Sequence, residues 1–407
     1  MPAGADHGRL AEGTIAYVLS GYPVVSQTFV RDEIAALRAA GRAVDVTSMT
    51  RADRDRIPLA WSGPVRTAAD ITRFGALRDG LWWLRRPRAV LRLARALRRT
   101  GFARARLALR GVPTVARRLA ARDVVVCHSH FGWAGLVAAV YVGALLDRPV
   151  TATLHAADIY LAGPELARSV ALLDRVITVC EYNVRRLEAL GVDPAHVRVV
   201  PCGVDTTVPV PPTGDPALVV SVGRLMPKKG MDVLLRAFGP VVEAVPHARL
   251  EIVGEGPEEA SLRRLVSELG LDGRVTFAGA LDHAHTLERI GAGAVFALAC
   301  RVLPDGDSDA VPVAIREAMV RARPVVTTSV AGIPENVDDE TGWVVPSEDP
   351  ESLAKALVEA LEDASARQRK GEAARRRQVD HYSLTASAER LQDLWAGLVE
   401  ARAGTRR

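Results

Sequence analysis

Three stretches of the sequence put chemically capable side chains where a strand should hand over to a helix. In VVSVGRLMPKKGMDVLLRAF, starting at Val219, a strand delivers Gly223 and Arg224 into a loop, and Lys228, Lys229 and Gly230 precede a helix. A guanidinium and an ammonium at such a junction suit phosphate oxygens. The loop lacks the GxxxxGK[ST] order of a P-loop, and an RxxxxKG met alone is more often a solvated basic turn. In LEIVGEGPEEASLRRLV, Gly254 and Gly256 stand at the next such junction, but Glu259 occupies the third glycine's place of the dinucleotide fingerprint. These glycines serve either a tight turn or the close approach of backbone to a nucleobase or ribose. In DGDSDAVPVAIREAM, Pro312 fits the first turn of a helix. The free amides of Ala310, Val311 and Val313 around it lie at a positive dipole end, a ready anion site.

Two carboxylates frame that third stretch. Asp309 sits in the loop, and Glu317 lies five residues into the helix, about 7.5 Å along its axis. Such a pair can grip hydroxyls of a polar ligand whose phosphate meets the helix end. The plain alternative is an N-cap aspartate and a surface glutamate. Asp305 and Asp307 spell DxD, which can hold a divalent cation, but a polar loop is the better reading, and no metal site is expected. Nearer the N-terminus, CHSHFG and TLHAADIY place His130 and His155 just after strands. One histidine after a strand is usually structural; two at strand ends facing one cleft suggest a site.

The elements that must position these residues alternate regularly. Thr14–Ser20, Ala43–Met49, Asp123–Cys127, Val150–Leu154, Arg175–Val179 and Val197–Val200 read as buried strands. A helix follows Ser26, which can cap it, with Val30, Ile34 and Leu37 on its apolar face. TTVPVPPTGDP, from Thr206 to Pro216, holds four prolines and reads as a linker. The alternation then restarts with strand Ala217–Val222, helix Asp232–Val245, strand Arg249–Val253, helix Pro257–Leu269 and strand Val275–Phe277. Ala294–Ala297 and Pro324–Thr328 follow as later strands. Strands alternating with helices imply parallel sheets covered on both faces, with ligands beyond the carboxyl ends of the strands.

Composition excludes several classes. The 407 residues suit two domains, and 48% hydrophobic with 25% charged residues is ordinary for globular proteins. Four widely spaced cysteines form no CxxC pair, which argues against a zinc ribbon or redox dithiol and makes a reducing compartment the default. No signal-peptide core or spanning segment is read, and a cytoplasmic location, soluble or peripheral at the inner membrane face, is expected. The net charge of +5 conceals an asymmetry: Arg66 to Arg122 holds 16 Arg, no Lys and two acids, +14, leaving −9 for the rest. Arg88, Arg92, Arg95 and Arg99 recur at helical spacing, with Val90, Ala94 and Leu97 opposite and Trp82 and Trp83 just before. This cationic helix is either a solvated face over an apolar stripe or a surface for anionic lipid. Nucleic acid is not an expected partner, because no binding motif accompanies the charge.

The ordered set VGRLMPKKG, VGEGPEE, PVAIREAM, RPVVTTSVAGIPENV and TGWVVP resembles the retaining glycosyltransferases of family 4, and YPVVSQTFVRDEI resembles their bacterial exopolysaccharide branch. The resemblance spans nearly the whole chain outside the Arg-rich insert and the ends. It implies the α/β GT-B fold, two doubly wound Rossmann-like domains facing a central cleft. The domains would be an acceptor domain over 1–205 with insert 66–122, a linker over 206–216, a donor domain over 217–382, and a returning helix over 383–407. It also implies a nucleotide-diphosphate sugar donor and a hydroxyl acceptor, either a lipid-linked saccharide or a small molecule, with no cofactor.

By this resemblance Arg224 and Lys229 bind the diphosphate and Glu317 holds the ribose. Asp309 stands near donor-sugar hydroxyls, His155 lies beside the transferring sugar, and Gly21 stands in the loop that approaches the phosphates. Asp309 shortens the usual glutamate, Ala310 and Ala322 replace usual glycines, and Arg316 replaces an apolar residue. Alanine at a left-handed position would cost about 1 kcal/mol. A nucleotide-sugar epimerase of the same fold, a glycosyltransferase acting on a small secondary metabolite and a non-catalytic binding protein are the alternatives.

Overall fold

The computed structural model describes residues 10–24, 27–50, 65–100, 111–161, 165–212 and 214–404. The Ser26 cap, the extreme N-terminus and the 101–110 part of the insert lie outside them. The chain forms two compact units, one of 1–203 with 384–407 and one of 204–383.

In the first unit the elements run β1 (Thr14–Leu19), α1 (Thr28–Ala39), β2 (Ala43–Ser48), β3 (Val65–Thr67), α2 (Arg73–Leu84), α3 (Pro87–Thr100), α4 (Val112–Ala120), β4 (Val124–His130) and α5 (Ala134–Leu146). They continue with β5 (Val150–Leu154), α6 (Ala156–Tyr160), α7 (Glu165–Val170), β6 (Arg175–Thr178), α8 (Glu181–Ala189) and β7 (Val197–Val199). All seven strands are parallel, in the order β3-β2-β1-β4-β5-β6-β7. β4 is buried at every residue, as a central parallel strand covered on both faces must be. β3 escaped the sequence reading because VRT is too short to show a period.

The second unit runs β8 (Asp215–Val222), α9 (Met231–Ala244), β9 (Arg249–Val253), α10 (Glu259–Glu268), β10 (Val275–Gly279), α11 (His283–Ala292), β11 (Gly293–Leu298) and α12 (Val313–Val320). It ends with β12 (Val325–Thr328), β13 (Gly342–Val345), α13 (Pro350–Glu362) and α14 (Ala364–His381). Its six parallel strands are ordered β10-β9-β8-β11-β12-β13. β8 begins at Asp215, inside the segment read as linker; Pro216 is tolerated there because it stands near a strand's start. In each sheet the order reverses once, between β1 and β4 and between β8 and β11. Those are the switch points where ligands bind in such sheets.

The last helix, α15 (Leu384–Gly404), belongs to the first unit. Trp395 on it is fully buried and donates its indole N–H to Thr151 Oγ1 at 3.0 Å, while Leu391 and Ala388 join the core of Ile15, Tyr17 and Val126. The Arg-rich insert is a second layer. α5 is apolar on all sides, so it must be covered all round, and α3 and α4 pack on it through Ala89, Ala96, Val112, Val115 and Leu119. The four-arginine face therefore divides: Arg92 turns inward, donating to Ala144 O at 2.8 Å and lying 3.7 Å from Asp147, whereas Arg88 and Arg95 are exposed. The predicted opposite side is also only half right, since Val90, Ala94 and Leu97 are half-buried and the deeply buried positions are Ala89 and Ala96.

Candidate functional site

In the second unit the loops after β8, β9 and β11 converge. Gly223 N–H donates to Val253 O at 3.0 Å and Leu225 N–H to Glu255 O at 2.9 Å, zipping the first two loops together. Gly254 has φ +137°, and a Cβ there would meet Gly223 O at 2.0 Å; at Gly256 it would meet Leu225 O at 2.4 Å. Both glycines are required by loop-on-loop packing, which brings Arg224 and the β9 loop together.

The two adjacent lysines do different things. Lys228 is buried, with Nζ 3.0 Å from Asp307 and 3.7 Å from Asp309. Lys229 Nζ lies 2.7 Å from Asp309. Arg224 is exposed, and its charge reaches both members of that pair. Burial alone would lower the Lys229 pKa, but Asp309 outweighs it and holds the ammonium above its ordinary value. Burial alone would raise Asp309; Lys229 and Lys228 outweigh it and hold the carboxyl below its ordinary value. Asp307, one half of the DxD, is engaged by Lys228, and Asp305 accepts the Asp307 N–H at 3.0 Å.

α12 starts at Val313, with Pro312 as its N-cap rather than in its first turn. Pro312 has ψ 130°, so its ring stands outside the helix while its carbonyl accepts Ile315 N–H at 3.1 Å. The amides that open the helix have no intrahelical acceptor, which preserves the anion-binding geometry. Ala310 and Val311 lead directly into this turn. Glu317 is buried, not a surface residue, and its Oε1 lies 2.8 Å from His283 Nε2. Arg316 is also buried, its guanidinium 4.6 Å over the Tyr382 ring, so a cation fits the apolar position through an aromatic face. The strain anticipated at Ala310 is absent there. Among residues with positive φ is Ala322, at φ +56°, the other alanine standing for a glycine.

In the first unit His130 and His155 do meet. Their rings stack at 5.4 Å and 15°, with His130 Nδ1 3.1 Å from His155 Nε2. His130 Nε2 is 2.9 Å from Glu33 Oε1, which also accepts the Tyr17 hydroxyl at 2.6 Å. Phe29 and Phe131 each flank the His155 ring at 4.7 Å, and Phe131 takes φ +68° at the carboxyl end of β4. A strained non-glycine residue at such a strand end is a common mark of a functional site. Gly21 lies at the carboxyl end of β1, leading into the cis Tyr22–Pro23 bond. Donor atoms of Glu33, His128 and His130 lie within 4.8 Å of one another, a spacing a cation could bridge. Each of these atoms is already hydrogen-bonded, His128 between Thr151 at 2.8 Å and Thr153 at 3.3 Å. We therefore read the group as a hydrogen-bonded set.

Sequence reasoning missed Glu33, Tyr17, Phe131 and His283, and it read Asp307 only as part of a polar loop, not as the partner of Lys228. Glu33 falls within YPVVSQTFVRDEI, but a glutamate beside an apolar helix position reads as solvated. Nothing in the linear pattern marks His283.

Comparison with known proteins gives these loops a context. Residues 26–208 match the model of Glycosyltransferase Family 4, and residues 216–363 match that of Glycosyl transferases group 1. The chain belongs to the glycosyltransferases. It is similar to WcaL of Escherichia coli, a glycosyltransferase assigned to colanic acid biosynthesis, at 28% identity over 84% of this chain and 89% of that one. It is also similar to a GDP-mannose-dependent alpha-(1-6)-phosphatidylinositol monomannoside mannosyltransferase of Mycolicibacterium smegmatis, at 32% identity over 56% of this chain and 64% of the relative. Among solved structures, Anabaena Alr3699/HepE in complex with UDP and glucose superposes with TM-score 0.70 at 18% identity, covering 94% and 99% of the two chains. Sucrose-phosphate synthase from Thermosynechococcus elongatus gives 0.70 at 22%, covering 95% and 99%. These likenesses, with the two parallel sheets, show the GT-B fold. In this glycosyltransferase, Arg224, Lys229 and Asp309 thus lie on loops beyond one sheet with Glu317 on α12, while in the other sheet His130 ends β4, where the sequence reading had it just after the strand, and His155 follows β5.

Proposed function

We propose that this glycosyltransferase moves a sugar from a nucleoside-diphosphate donor to an acceptor hydroxyl with retention of configuration, in the assembly of a polysaccharide or glycolipid. The observation that carries the donor reading is that Lys229 pairs with Asp309 at 2.7 Å, in the loop leading into α12 at the β8/β11 switch point, with the charge of Arg224 reaching both. As the diphosphate leaves, the anomeric carbon gains oxocarbenium character and negative charge grows on the phosphate. A guanidinium, an ammonium and helix amides stabilise that charge without reorganising. Glu317 is assigned to the ribose and Asp309 to sugar hydroxyls. Gly254 and Gly256 are assigned to backbone approach at the nucleoside, and Gly21 and His155 to the phosphates and the transferring sugar. No protein nucleophile is assigned; the leaving phosphate takes the acceptor's proton. A relative that uses GDP-mannose and a structural neighbour that holds UDP and glucose both support a nucleotide-sugar donor.

The test is release of nucleoside diphosphate from UDP, GDP, TDP and ADP sugars, with and without candidate acceptors. Acceptor-dependent release with one donor is expected. An isomerised donor without acceptor would replace transfer by epimerisation, and tight nucleotide binding with no turnover would make this a binding protein.

A second observation concerns where the enzyme works. On α2, Phe74, Leu77, Leu81 and Leu84 recur at i, i+3, i+7, i+10 and are 77, 63, 55 and 63% exposed. Arg78, Arg85 and Arg88 around them are exposed, while the helix's acid, Asp79, is buried against Arg117 at 2.5 Å. An apolar stripe bordered by arginines suits an anionic bilayer surface. Among the described residues no helix is long and apolar enough to cross a membrane. Co-sedimentation with phosphatidylglycerol vesicles is expected, lost in Leu77→Asp/Leu81→Asp. Equal recovery with neutral vesicles, or no binding at low salt, would remove this reading.

A further inference from the structure

Glu33, His130 and His155 come from three separate elements, α1, the end of β4 and the residue after β5, yet they form one hydrogen-bonded line. His130 is buried in the middle, and His155 is partly exposed at the open end. Its protons can be assigned from the ends inward. Glu33 is a carboxylate: burial would raise its pKa, but the His130 and His128 interactions and the Tyr17 hydrogen bond outweigh burial and bring it to about 2. A carboxylate only accepts, so His130 donates to it from Nε2. At the other end the neutral His155 accepts the Asp158 backbone N–H in the capping box that opens α6, so its Nε2 keeps the proton and donates to His130 Nδ1.

The surroundings keep that order. Burial holds His155 well below its ordinary value and therefore neutral. Burial likewise lowers His128 to about 3 and keeps the Tyr17 phenol protonated. Asp158, whose carboxyl burial raises to about 6, accepts the His155 backbone N–H at 3.0 Å rather than the ring. Phe29 and Phe131 close the sides of the ring.

We propose that Glu33 and His130 are positioning residues that act through His155. They lock it as the Nε2–H tautomer and set a buried negative charge behind it. That charge favours the cationic character that develops at an anomeric carbon. The proposal rests on the reading of His155 as the residue beside the transferring sugar.

The tautomers are measured first, on the folded wild-type enzyme, by nitrogen-15 NMR of the histidine rings. Nε2–H in both His130 and His155 is expected; Nδ1–H in either overturns the proposal, whether or not a donor has been found. Glu33→Gln then keeps the shape and removes the charge. A unit charge acting across about 10 Å at an effective dielectric of about 20 is worth roughly tenfold. The variant should therefore lose about tenfold in kcat with donor KM within twofold, and the acid limb of its pH profile should move to lower pH. Glu33→Asp should recover part of the rate. A Glu33→Gln enzyme with unchanged kcat and acid limb would overturn the proposal. So would a chelator-sensitive activity restored by zinc, which would give the cluster to a metal. A wild type inert with every donor refutes the transferase reading instead, and leaves the tautomer result standing.

Discussion

Lys228 and Lys229 are identical side chains one residue apart, and the structure predicts opposite consequences for losing them. Lys229→Met keeps the apolar stem and removes the ammonium. A hydrogen bond to a charged group contributes about 1.5–3 kcal/mol, or about 10- to 150-fold in Kd. The upper end is expected, because Asp309, 2.7 Å from Lys229, would lose its nearest counter-charge and then repel the incoming phosphate. Lys228→Met instead breaks a pair whose side chains are only 8% and 15% exposed. Leaving Asp307 without its partner should cost about 3–5 kcal/mol of stability. Calorimetric titration with the nucleoside diphosphate found in the donor screen, beside thermal unfolding of both variants, separates the two effects. Lys229→Met should lose less stability than Lys228→Met, because Asp309 keeps Lys228 at 3.7 Å, and should bind at least tenfold more weakly. Lys228→Met should unfold several degrees lower and, while folded, bind within threefold of wild type. If Lys229→Met binds within twofold of wild type, or Lys228→Met weakens binding without loss of stability, the assignment of roles is wrong.

Three further outcomes follow from particular contacts. Ala322→Gly relieves a left-handed alanine at φ +56°, a conformation costing about 1–2 kcal/mol, against roughly 0.5–1 kcal/mol of added chain entropy; denaturant titration should show a small gain, and a loss would contradict the backbone geometry. Trp395→Ala empties a fully buried site that ties α15 to the first unit and should cost about 3–5 kcal/mol in urea unfolding; a change below 1 kcal/mol would place the helix elsewhere. Acid should destabilise the first unit: His128 has a folded pKa lowered from 6.5 to about 3, so the unfolded state binds the extra proton in that window. Its contribution is complete above about pH 6.5 and is lost as pH falls toward 3, at about 1.4 kcal/mol per unit. Glu33, lowered from 4.5 to about 2, adds to this loss below pH 4.5. Stability that is flat from pH 7 to 4.5 would refute it.

The strand–helix alternation of both units was legible because fully buried parallel strands are continuous apolar runs, as in β4 and β11. β3 and β13 were not read as strands, since VRT at the sheet edge holds no apolar run and GWVV opens on a glycine. The candidate phosphate loop was legible as well, because backbone chemistry fixes it locally: glycines where chains touch, a proline before a helix, basic residues beside free amides.

The charge pattern shows where local reading stops. Sixteen arginines in one segment announced a cationic face, but which of them face solvent depends on α5, an apolar helix that needs a cover. Arg92 was drawn inward by carbonyls 52 residues away. In the same way, the sequence determined that His130 and His155 stand at strand ends, because a β-strand's end is a local property. Glu33 joins them only because the fold brings its side chain to His130, 97 residues away in sequence, and that adjacency was decided by the tertiary structure alone. Partners at long separation leave no spacing in one chain, whereas a turn, a cap or a buried strand writes its requirement into consecutive residues.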